Sequence, residues 1–140
     1  MATSPAGSSG TPLWKKLGFR PGTTVLTLNA PANYAALFPD PPAGVSFADK
    51  VEPPLGFVHL FVTARADLAA RLPTLIAALA PDGVVWVSWP KKAANVPTDV
   101  TDNTVREVAL PLGLVDVKVC AVDATWAGLK LVVRVANRKK

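Results

Sequence analysis

The chain has 140 residues, half of them hydrophobic and 18% charged, with a net charge of +5 and one cysteine. This size and composition fit one globular domain with its own core. They exclude a wholly disordered chain and an internal disulfide; no apolar run nears the ~20 residues of a membrane-spanning helix. The positive excess has no Arg/Lys stripe interleaved with aromatics, so it reads as a solvated surface and does not indicate a nucleic-acid partner.

Residues 1–10 have no basic start and no apolar stretch, and read as a flexible tail, not a signal peptide. With a lone cysteine, this places the protein in the cytoplasm. Residues 11–137 read as a single domain, and residues 138–140 (Arg-Lys-Lys) as a basic tail. Thr11 is suited to cap a short helix that opens at Pro12 and stops at Gly18. Thr23–Leu28, rich in β-branched residues, predicts the first strand. Pro31 can open a helix through Phe38. Residues 39–44 form a loop, Val45–Ala48 a weak second strand, and Glu52–Gly56 another break.

Phe57–Val62 is apolar except for His59, as expected of a strand buried on both faces. Thr63 is placed to cap the next helix, in which Leu68, Leu72, Leu75, Ile76 and Leu79 recur at helical spacing. Pro73 predicts a kink there, or two shorter helices. Pro81-Asp82-Gly83 predicts a tight turn before a fourth strand over Val84–Ser88. Two prolines and no periodicity make residues 89–98 irregular. Asp99 or Thr101 caps a helix carrying Val105, Val108, Ala109 and Leu112 on one face, and Gly113 ends it. Leu114–Val122 and Leu129–Val135 predict the last strands, whose short connection makes them an antiparallel hairpin. Cys120 reads as a small buried strand residue. The alternation of strands and helices predicts an α/β fold, a mainly parallel six-stranded sheet covered by helices.

Ligands of open parallel sheets bind beyond the carboxyl ends of the strands. That edge collects Asn29, Asn33, Thr63, Arg65, Trp89, Lys91, Lys92, Asn95, Thr98, Asp99, Asp123 and Trp126. Cations beside helix N-termini make an anion site, with Lys91, Lys92 and Arg65 binding charge and Trp89 and Trp126 shaping a pocket for a flat ligand. The same residues also read as a solvated lysine pair and tryptophans covering the sheet edge. His59, the single histidine, lies about four residues or ~13 Å from its strand's end and reads as a neutral, hydrogen-bonded core residue. Asp99 and Asp123 are a formal acid–base pair without diagnostic spacing. No metal, phosphate-loop or nucleophile motif is present.

The layout of a strand after a Pro-Gly turn, then helix, Pro-Asp-Gly, strand and a final hairpin resembles the core of class I methyltransferases. Leu79-Ala-Pro-Asp-Gly-Val-Val-Trp-Val87 is similar to the approach to that fold's fifth strand. The resemblance implies a Rossmann-like three-layer sandwich, with one strand–helix unit missing and sheet order 2-1-3-4-6-5. The chain also resembles, over nearly its whole length, a family of small uncharacterised bacterial proteins, a domain of unknown function. The marks are Ser9–Leu13, Leu28–Pro31, Phe61–Thr63, Trp86–Lys92, Val96–Asp99 and Leu114–Cys120. Methyltransferases carry an acid and a glycine-rich turn after the first strand. Here the place reads Leu28-Asn-Ala-Pro-Ala-Asn33, without glycine or acid and with a proline that removes an N–H. Asp49 lies near the position of their ribose-binding acid.

Three readings follow. The first is a non-catalytic protein binding an anionic or nucleotide-like small ligand at the carboxyl edge, without a cofactor. The second is a minimal methyltransferase using S-adenosylmethionine (SAM) through an atypical loop. The third is a protein-interaction or oligomeric scaffold domain.

Overall fold

The structure, a computed structural model, describes residues 12–134. The expected tails, the Thr11 cap and Val135 lie outside the described residues.

Six strands form one sheet: β1 (Thr24–Leu28), β2 (Ser46–Ala48), β3 (Leu55–Phe61), β4 (Leu79–Pro90), β5 (Leu114–Ala121) and β6 (Trp126–Val133). Their order is β2-β1-β3-β4-β6-β5. The first four run parallel; β6 enters antiparallel between β4 and β5. The fold is the expected Rossmann-like α/β sandwich with a C-terminal antiparallel hairpin.

β3 is apolar but for His59 because both its faces are covered. Val58, Leu60 and Val62 meet α2 (Arg65–Ala78) through Leu68, Leu72 and Leu75, and α3 (Asp102–Ala109) through Val105 and Ala109. Phe57 and Phe61 point the other way, into a second core with α1 (Leu13–Leu17) and a 3₁₀ turn, Tyr34–Leu37. Each fully buried side chain of this size contributes roughly 1.5–3 kcal/mol. Trp86 fastens α1 to the sheet: its Nε1–H donates to the Leu17 carbonyl at 2.8 Å.

Several expectations are corrected. Pro12 stands before the helix, in the capping place, because its ψ of 145° is extended. No α-helix follows β1. Only the four-residue 3₁₀ turn forms, since Pro39, Pro41 and Pro42 stop the chain, and threefold spacing puts both Tyr34 and Leu37 into the core. α2 continues through Pro73 as one helix, not two shorter ones. The Pro81-Asp82-Gly83 turn is an irregularity inside β4, whose pairing with β3 shifts there, and Trp89 and Pro90 belong to the same strand. Leu112 is 38% exposed, because a 3₁₀ turn (Leu110–Leu112) takes it off the buried face of α3. Cys120 is half-buried on the outermost strand, where burial pushes its thiol up.

Candidate functional site

The carboxyl ends of β1 to β5 lie along one edge, and their loops are stitched to one another. Asn29 takes a left-handed φ of 59°, a conformation that asparagine tolerates. Its Nδ2 donates to the Phe61 carbonyl and to Asp67 Oδ2, each at 3.3 Å, which ties the end of β1 to β3 and α2. The Thr63 carbonyl accepts from Thr98 Oγ1 at 2.6 Å and from the Asp99 N–H at 3.3 Å. Asp99 Oδ1 accepts from the Arg65 N–H at 2.7 Å and so caps α2 from a distant loop. Thr63 does not cap α2, because helix φ/ψ begins only at Arg65, after Ala64. Thr101 caps α3 in a reciprocal box with Thr104.

Beyond β4, the Lys91 N–H donates to the Thr125 carbonyl at 2.7 Å. Asp123 Oδ1 accepts from the Thr125 and Trp126 N–H groups, each at 2.8 Å. The Arg65 guanidinium bonds Glu107 at 2.7 Å. Six of the twelve residues collected at this edge (Asn29, Thr63, Arg65, Thr98, Asp99 and Asp123) therefore hold the loops in place. Lys91 and Lys92 make no side-chain ion pair among the described residues. Asp49 lies exposed just past β2, whose last residue, Ala48, accepts from Thr27 Oγ1 at its carbonyl.

The two tryptophans do not form one pocket. Trp89 pairs with Ala127 and is buried in the core under α2 and α3. Trp126 is across from Pro90, one residue out of phase and hence on the opposite face, edge-on to Phe61 at 4.9 Å.

His59 is fully buried, as the mid-strand position implied. Its Nδ1 lies 2.8 Å from Tyr34 Oη and its Nε2 2.7 Å from Ser88 Oγ. Burial pushes the imidazole down to about 3 and the Tyr34 phenol up. The three groups form a satisfied chain shut off from solvent. Sequence reasoning missed Tyr34, which arrives from the turn after β1, and Ser88, which the parallel register of β3 and β4 sets opposite Phe61, diagonal to His59 on the same face. No cluster of three or more His, Cys, Asp or Glu able to hold a metal occurs among the described residues.

Sequence reasoning also missed the opposite edge, where a cavity of about 550 Å³ is lined by Leu17, Arg20, Thr24, Phe57, Asp82 and Lys130, among others. No sequence signal marked it, because Lys118 comes directly opposite Lys130 only through the irregularity between Asp116 and Lys118.

The residues after β1 do not fit SAM in the manner of a glycine-rich loop. Asn29 supplies the left-handed backbone, but its side chain spans to β3 and α2 over the strand ends, and Pro31 has no N–H to offer.

A family model described as a protein of unknown function, DUF3052, matches residues 57–135. No curated protein matches the sequence. Among solved structures, the fold is similar to the ribosomal protein L11 methylase of Lactobacillus delbrueckii subsp. bulgaricus, with a TM-score of 0.56, 11% identity, and 87% of this chain and 75% of that one covered. It is similar to TrmN of Thermus thermophilus, at 0.55, 14%, 86% and 47%, and to LepI in complex with SAM, at 0.52, 14%, 87% and 39%. The chain thus spans less than half of two of these three proteins. At such identities the likeness shows the fold, a methyltransferase-type Rossmann sandwich.

Proposed function

The chain belongs to the DUF3052 family of proteins of unknown function, and from that premise we propose that it is a non-catalytic methyltransferase-fold protein that binds a small anionic ligand at the carboxyl edge of its sheet. One observation carries this reading. Lys91 and Lys92 sit without ion-pair partners among the described residues, on a loop whose backbone is fixed to the hairpin by the 2.7 Å bond to Thr125. Fixed cations on a rigid edge recognise an anion at little ordering cost.

In this reading Lys91 and Lys92 bear the charge and Trp126 supplies an apolar wall. Asn29, Thr63, Arg65, Thr98, Asp99 and Asp123 hold the loops, and Trp89 acts only through the core. Acid–base chemistry is disfavoured by the same geometry. Asp99 and Asp123 are committed to backbone N–H groups, and His59 is sealed and neutral. The natural setting is the cytoplasm; no described helix is long and apolar enough to cross a membrane.

A second reading, a minimal SAM-dependent methyltransferase, is favoured by the likeness to LepI in complex with SAM. A thermal-shift screen separates the two, with SAM, its demethylated product, nucleotides, phosphosugars and acyl-CoA, run on the wild type and on Lys91→Ala/Lys92→Ala. The proposal expects a shift of several degrees with a non-SAM anion that the double variant abolishes; saturation at 100 times Kd adds ~2.7 kcal/mol. A shift with SAM that survives in the double variant would establish the second reading instead.

A further inference from the structure

The amino edge of the sheet carries a second concentration of charge. Lys118 on β5 and Lys130 on β6 face each other directly across the hairpin. Like charges so placed repel, and neither lysine has an ion-pair partner among the described residues. Lys130 is also in register with Trp86, so its side chain leaves the sheet on the α1 side. There its Nζ reaches within 3.9 Å of where a β-carbon on Gly18 would stand. Arg20 follows in the turn after α1, which is closed by the Arg20 N–H on Thr23 Oγ1 at 3.1 Å.

Lys130 and Arg20 share the cavity of about 550 Å³ with the Thr23 and Thr24 residues, the Asp82 carboxylate and an apolar floor of Leu17, Phe57 and Val84. That volume is in the range of roughly 300–1,000 Å³ typical of small-molecule sites. The cations crowd one another. Burial first, then Lys118 and Arg20, hold the Lys130 ammonium below its usual value. An anion placed among them would relieve both the desolvation and the repulsion.

We propose that this amino-edge cleft is a second binding site, distinct from the carboxyl edge, for a small phosphorylated molecule that also carries hydrogen-bond donors, a sugar phosphate or a nucleoside monophosphate. A phosphate suits the set because an arginine fork and a lysine together match a dianion with several acceptor oxygens. Lys118 adds long-range attraction from the neighbouring strand. Asp82 cannot accept a second anion beside it; it accepts from ligand hydroxyl or amine groups. Leu17, Phe57 and Val84 take the less polar body of the ligand.

Calorimetric titration of the full chain with adenosine monophosphate, ribose 5-phosphate, inorganic phosphate and adenosine tests this. Measured in the Lys91→Ala/Lys92→Ala background, which removes the carboxyl-edge site, the phosphate esters bind, adenosine does not, and affinity falls at least tenfold on adding Lys130→Gln or Arg20→Gln. Lys118→Gln, on an exposed strand, retains the fold and weakens binding severalfold. Binding of inorganic phosphate as tight as that of the esters assigns the site to free phosphate and overturns the proposed occupant. Failure of both esters to bind at millimolar concentration, or equal binding with and without Lys118→Gln and Lys130→Gln in that background, overturns the site itself.

Discussion

His59 shows how far a single residue can be read. Its place in the middle of an apolar strand marks it as core, and full burial with two hydrogen bonds bears that out. Its partners were not legible, because Tyr34 is delivered by a turn and Ser88 by strand register. The consequence is a pH dependence with a definite sign. Unfolded imidazole has a pKa of about 6.5 and the folded one is pushed down to about 3, so between these values the unfolded state binds the extra proton and stability falls as pH falls. Urea denaturation at pH 7.5 and pH 5.0 should show a loss of about 2 kcal/mol, largely absent in His59→Gln measured against its own pH 7.5 value. The tryptophans teach the opposite lesson. Both sit near the edge in sequence, yet one step of strand phase sends Trp89 and Trp126 to opposite faces, and phase is fixed by pairing that composition does not reveal.

Among the elements, α2 depends on a residue 34 positions away. Its own N-terminus offers no side-chain cap, since Ala64 has none to give, and Asp99 fills the role from the loop after β4. Asp99→Ala should therefore cost about 1–2 kcal/mol, read as a lower denaturation midpoint with unchanged slope, while Asp99→Asn, which keeps an acceptor oxygen, should lose less than half as much. The sequence showed Asp99 as a capping residue but assigned it to the nearer helix; which helix end a loop carboxylate reaches is a tertiary matter. The missing helix after β1 has a local cause, the prolines at 39, 41 and 42. Pro31 gives a good start signal, and the stop signals at 39–42 are equally compatible with a loop beyond a completed helix.

For the molecule as a whole, strand number, order and the final hairpin were legible, the order through the likeness of the layout to a known core. The candidate edge was legible as a place but not as a set of free side chains, because the side chains of Asn29, Thr98, Asp99 and Asp123 bond backbone and that of Arg65 bonds Glu107. The two proposed sites lie at opposite ends of the sheet: from Val84 to Pro90 along β4 is six residues, about 20 Å, beyond the ~8–10 Å over which salt leaves charges coupled. Lys91→Ala/Lys92→Ala and Lys130→Gln should thus act additively on stability and on the binding of each ligand, which a quadrant of wild type, the two variants and their combination will measure by denaturation and calorimetry.

The insertion of β6 between β4 and β5 has a consequence for biosynthesis. Translation delivers β5 before β6, yet among the described residues β5 bonds to no strand other than β6. While the ribosome has not passed Val133, the nascent chain holds β4, with Val84 to Trp89, as a bare sheet edge and β5 as an orphan. An open apolar edge of this kind invites pairing with other chains. The protein's exposure to misassembly is therefore concentrated in the interval between the synthesis of β4 and that of β6, and ends when β6 slides into a gap already flanked on one side.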